Sequence, residues 1–157
     1  MPTVDELLER IAQNGHTLWI AGPQSASAVA ELEAALGVLM PPRYREFLLK
    51  YGSVSIYDCI VAGITNNKPL GESVNSLYGA TMDLRQAQQL PNHLLVIQSD
   101  DEAPYCFDTR QMQASGEMPV VCYELNTEYD GKIAKDFSEF FVTWFLKPWS
   151  ENESDTN

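Results

Sequence analysis

The stretch Ser25–Gly52, SASAVAELEAALGVLMPPRYREFLLKYG, decides the fold. A serine at Ser25 or Ser27 caps a helix running to Leu36. Val29, Leu32 and Leu36 share its inner face, and Gly37 stands where a helix closes in the left-handed conformation. Val38-Leu39-Met40-Pro41-Pro42 then breaks the helix and restarts it. Proline suits that restart because the first turn of a helix needs no N–H for its ladder. The next helix presents Tyr44, Phe47, Leu48 and Tyr51 at helical spacing and ends at Gly52.

Towards the N-terminus, Thr3 and Glu6 form a capping-box pair. They open a helix whose stripe is Val4, Leu7, Leu8 and Ile11 and whose stop is Asn14-Gly15. Leu18-Trp19-Ile20 reads as a short strand before the Gly22-Pro23 turn. Beyond Gly52, the β-branched run Val54–Ile64 predicts one or two strands. After a turn-rich loop, Val74, Leu77, Tyr78, Met82 and Arg85 predict a helix. Leu94–Gln98, Tyr105–Asp108 and Pro119–Glu124 read as three short strands, and their short links predict antiparallel pairing. Asp136, with Glu139 three residues on, starts a last helix that puts Phe137, Phe140, Phe141, Trp144 and Phe145 on one face and stops at Pro148. Burying each ring contributes on the order of 1.5–3 kcal/mol, which holds this helix on the sheet. Two readings stand for Trp149, cover for the edge of the core or an anchor for a partner, and the first is favoured. The order predicts an α+β fold: N-terminal helices, a mostly antiparallel β-meander, and a closing C-terminal helix packed on the sheet. The expected organisation is one domain over residues 1–149 and a disordered acidic tail over 150–157.

Of 157 residues, 22 are Asp or Glu and 10 are Lys or Arg, a net charge of −12. Such a field repels nucleic acid and anionic lipid, so neither is expected as a partner. No apolar run approaches a membrane span, and the acidic start MPTVDE does not resemble a signal peptide, so the expected compartment is the cytoplasm. The three cysteines, Cys59, Cys106 and Cys122, are odd in number and form no Cys-x-x-Cys pair, which fits small buried thiols.

Chemistry is sparse. Cys106 with His93 is the best nucleophile and base pair. However, Asp100, Asp101, Glu102 and Asp108 surround it with negative charge that raises a thiol's pKa, which favours a packed cysteine and a surface histidine. No His or Cys pair has zinc-finger spacing, Asp100-Asp101-Glu102 lacks the pattern of a calcium loop, and the glycines form no phosphate loop. The chain is therefore expected to act without catalytic residues, metal or cofactor. Asp100, Asp101, Glu102, Glu124, Glu128 and Asp130 lie in or beside turns of the meander. Two readings stand for them: one acidic patch for a partner, or scattered charges that keep the surface soluble.

Taken together, Val29–Gly37, Leu39–Leu48 and Tyr51-Gly52 resemble the signature of the SUKH superfamily, which includes fungal Smi/Knr cell-wall assembly regulators and bacterial immunity proteins. Leu94–Ile97, Tyr105–Asp108 with Gly116 and Pro119–Val121, and Phe137–Phe141 match its later elements in order. The resemblance implies a non-enzymatic immunity protein, a monomer or weak homodimer, that neutralises a cognate, basic toxin domain such as a nuclease. The alternative is an intracellular regulatory or scaffold module.

Overall fold

The computed structural model describes residues 2–151. Helix α1 (Val4–Gln13) starts as the sequence predicts, the Glu6 N–H donating to the Thr3 hydroxyl at 3.1 Å. The short strand β1 (Leu18–Ile20) leads to α2 (Ala26–Leu36), capped by Ser25 and closed by Gly37 at φ +71°. Helix α3 (Pro42–Lys50) begins at the prolines and buries Tyr44, Phe47 and Leu48. The strands β2 (Val54–Ile56) and β3 (Cys59–Val61) complete an antiparallel sheet in the order β1-β2-β3.

Helix α3 has no side-chain cap of its own, because Pro41 stands at the capping position. Glu117, from a distant loop, supplies one: its Oε2 accepts the Arg43 N–H at 3.2 Å while its Oε1 is buried without a partner. Burial pushes the Glu117 carboxyl above the usual glutamate range. The folded state therefore binds this proton more readily than the unfolded chain, and stability falls as pH rises from the ordinary glutamate range through the raised value. Glu117→Gln keeps an acceptor without the charge. The expected result is a smaller pH dependence of the urea midpoint between pH 4 and 7; an unchanged dependence would rule out this source.

Helix α4 (Leu77–Gln88) starts later than predicted. Ser76 caps it through the Gly79 N–H, so Val74 falls in the preceding loop and stands exposed. The buried side is Leu77, Ala80, Thr81 and Leu84, in place of the stripe through Tyr78 and Met82.

The strands β4 (Leu94–Gln98), β5 (Tyr105–Asp108), β6 (Val120–Glu124) and β7 (Tyr129–Ala134) form an antiparallel meander in chain order. Strand β7 is absent from the sequence-based expectation because YDGKIA mixes glycine and charges with few β-formers. Neighbouring residues face opposite cores. Leu95, Ile97, Phe107 and Val120 join α1, α2, α3 and the last helix in one, whereas Leu94, Val96, Cys106 and Val121 meet Ala80 and Leu84 of α4 in another. Both faces are covered, so β4 reads as one unbroken apolar run. The Ala62 N–H, donating to the Ile97 carbonyl at 2.7 Å, ties the small sheet to the large one.

The last helical run, α5, comprises Phe137–Glu139, a π-helical Phe140–Leu146, and Lys147–Ser150. Asp136 caps it as expected, accepting the Glu139 N–H at 2.9 Å. Two expectations fail here. Trp144 is 51% exposed instead of buried, and Pro148 lies inside the helical run instead of ending it. One cause accounts for Trp144. Bonding such as Lys147 N–H to the Val142 carbonyl spans five residues, turns the chain less per residue, and puts Phe145 where an α-helix would hold Trp144. A wider turn also relieves the clash of a proline ring with the carbonyl behind it. Ser150 ends the run and is buried, and residues 152–157 of the expected acidic tail lie outside the described residues. No helix among the described residues is long and apolar enough to cross a membrane.

Candidate functional site

The outer face of the small sheet is built from small and apolar residues whose register is fixed by pairing. Trp19 stands opposite Ser55, and Ser55 opposite Ile60, so the three line one face with a small serine between two larger side chains. With strands about 4.8 Å apart, Trp19 and Ile60 sit roughly 10 Å from each other. Trp19 is 46% exposed, more than a buried anchor and less than a free surface ring.

Beyond Ile60 the face deepens into a groove lined by Asp58, Ile60, Val74, Ser99, Asp100 and Asp101. Half of these residues are aspartates and none is basic, so Ile60 and Val74 share the groove with negative charge alone. Turn geometry positions Asp58 and Asp100. Asp58 sits in the tight β2–β3 turn, whose first residue, Tyr57, adopts φ +52°. That conformation is costly for an aromatic residue. It is held by the Tyr57 N–H, donating to the Thr17 carbonyl at 2.9 Å, and by ring contacts with His16 and Trp149 at 5.7 and 5.4 Å. Trp149 thus covers the core edge as expected and braces the turn that presents Asp58. In the β4–β5 turn, Asp100 Oδ1 accepts the N–H groups of Glu102 and Ala103, each at 2.9 Å, which fixes its direction.

The meander brings most of the sequence-predicted acids to one end. The Leu125 N–H donates to the Glu102 carbonyl at 2.8 Å, so the turn holding Asp100, Asp101 and Glu102 abuts the turn between Glu124 and Glu128. Glu124 accepts the Thr127 hydroxyl proton at 3.0 Å, and Glu128 takes φ +57° as the chain reverses. Asp130, the second residue of β7, lies beside that turn, and its carboxylate approaches Arg110 at 3.8 Å. Sequence reasoning missed Asp58, Trp19, Ile60 and Val74 altogether. A surface tryptophan in a three-residue strand was the available signal.

The Cys106 and His93 pairing does not form. Cys106 is fully buried, its Sγ directed to the Pro104 carbonyl at 3.9 Å, and no hydrogen bond joins it to His93. Burial first, then Cys122 and Asp108, push its thiol far up, against thiolate formation. Cys122 is shifted the same way by burial, Glu124 and Asp100. Asp108, fully buried, is pulled up by burial but held below the usual range by hydrogen bonds from Gln111 and Arg110. Its ionised carboxylate therefore contributes stability above the usual aspartate range, lost as pH falls through the lowered folded value. Asp108→Asn is expected to flatten the acid limb of the stability curve; an unaltered limb in urea titrations at pH 2–5 would contradict this.

The arrangement has parts that suit a recognition surface: a paired sheet, an exposed aromatic beside apolar Ile60 and Val74, and neighbouring acids. In comparison with known families, the SUKH_5 model, described as SMI1-KNR4 cell-wall, matches residues 4–146.

Proposed function

The chain belongs to the SMI1-KNR4 family of the SUKH superfamily, and from that premise we propose that it is a non-enzymatic immunity protein of the cytoplasm that binds and neutralises a basic toxin domain. The observation that carries this reading is the groove in which Asp58, Asp100 and Asp101 surround Ile60 and Val74 beside Trp19. Apolar groups at the centre of an interface supply most of the affinity, and charges at its rim set encounter rate and partner choice. A toxin that cuts nucleic acid needs a positive groove for phosphate, and this rim complements such a surface. Glu102, Glu124, Glu128 and Asp130 extend the negative field beside it.

Co-expression with a basic toxin domain, sought first among the neighbouring genes, is the direct test. The expected result is cell survival and a stable complex, and loss of both would refute the reading. A resident protein captured from cells that lack any toxin gene would favour the regulatory or scaffold role instead. Within the complex, the triple change Asp58→Asn, Asp100→Asn and Asp101→Asn is expected to slow association about tenfold at low salt and to flatten its salt dependence. The amide at position 100 keeps the turn's acceptor, so the change isolates charge. An unchanged association rate would remove the groove from the interface.

A further inference from the structure

We propose that His93, Asp108 and Asp130 form a binding site for a divalent transition-metal ion of the zinc class. The residues come from three strands' ends and edges: His93 just before β4, Asp108 at the end of β5, and Asp130 on the edge strand β7. One ring nitrogen of His93 and one carboxylate oxygen of each aspartate all lie within 4.8 Å of one another. Zinc bonds of about 2.0–2.2 Å place ligand atoms roughly 3.4 Å apart, so closure needs small side-chain rotations and no movement of the sheet.

Three further features support a ligand here. His93 Nε2 is buried and has no hydrogen-bond partner, an uncommon state for an imidazole nitrogen. Asp108 is fully buried and already oriented, its Oδ2 accepting from Gln111 Nε2 at 2.8 Å and its Oδ1 from the Arg110 N–H at 3.0 Å. Donors of this kind hold a ligating carboxylate in direction. One imidazole and two carboxylates suit a borderline ion and leave a coordination position open. The opposing group is Arg110, whose Nε lies 3.5 Å from Asp108 and whose Nη2 lies 3.8 Å from Asp130. These are long ion pairs on a side chain that is 61% exposed, so the guanidinium can swing into water and yield both carboxylates. Metal and guanidinium thus compete for one place. Bound metal would fasten the edge strand β7 to β4 and β5.

None of these three residues lines the groove, and the site does not depend on the toxin-binding reading. Its test is zinc titration of the chelator-stripped chain, followed by calorimetry and by thermal melting. Expected are one equivalent bound and a higher melting temperature, since a ligand of the folded state stabilises it by mass action. His93→Ala and Asp130→Asn should each weaken binding about tenfold or more. Arg110→Gln, which removes the competitor, should tighten it. The absence of binding would overturn the proposal. So would affinity unchanged in both His93→Ala and Asp130→Asn, the behaviour of an ion held by cysteines or surface acids. Weaker binding in Arg110→Gln would overturn it as well, and that variant leaves all three ligands intact.

Discussion

Gly63→Ala is expected to abolish cooperative folding or to cost more than about 4 kcal/mol, the range reserved for changes that the structure cannot absorb. A Cβ at this position would fall on the carbonyl oxygen of Gly52, far inside van der Waals contact, and against the Leu48 side chain. The backbone has no room to retreat. The Gly63 N–H donates to the Asn75 carbonyl at 2.8 Å, the Gly63 carbonyl accepts from Leu77 at 3.0 Å, and the Gly52 carbonyl accepts from Ile64 at 3.0 Å. This one contact joins the end of α3, the exit from β3 and the start of α4. Gly71→Ala is the matched comparison, because its Cβ would meet Ser76 Cβ at an ordinary 3.6 Å. Urea unfolding should show Gly71→Ala within about 0.5 kcal/mol of the parent. A Gly63→Ala protein unfolding within about 1 kcal/mol of the parent would contradict the packing described.

Trp19→Ala is expected to weaken binding to the toxin domain by about 2 kcal/mol or more, roughly thirtyfold, with little change in melting temperature. Both parts follow from its position. Trp19 is 46% exposed on the outer face of the small sheet, so it contributes little to the core, yet it stands in line with Ile60 at the groove. Trp144 makes a sharp comparison: it is 51% exposed but stands on α5, away from the strand register that sets Trp19 in line with Ile60. Trp144→Ala should leave affinity unchanged. If Trp144→Ala weakened the complex while Trp19→Ala did not, the interface would belong to the helical side and the proposed groove would be wrong. Equilibrium titration of both variants against one toxin preparation decides between them.

Much of the fold was legible because its signals are local. Thr3, Ser25 and Asp136 cap helices through their own side chains, Gly37 takes φ +71°, and Pro41-Pro42 restart the chain as a helix. Each acts over one turn of backbone. The errors share the opposite character. A constant helical period puts Trp144 on the buried face, and the π-helical register turns it outward. Strand β7 escaped notice because a polar edge strand is identified by its neighbour β6 more than by its own residues. Among the acids, Asp100, Asp101 and Glu102 announced themselves as a turn, whereas Asp58 became part of the same rim only when the β2–β3 turn folded over beside them.

By itself, the sequence determined the capped starts of α1, α2 and α5, the α+β order, the strongly negative field and the residues that carry the family resemblance. These depend on interactions within a few residues or on charge summed over the chain, and both survive without knowledge of the packing. The tertiary structure alone decided which acids share a groove with Ile60 and Val74 beside Trp19, and that His93 meets Asp108 and Asp130. Such neighbours are set by strand register and by how one sheet packs beside another, so residues distant in the chain acquire a common chemistry only after the cores have formed.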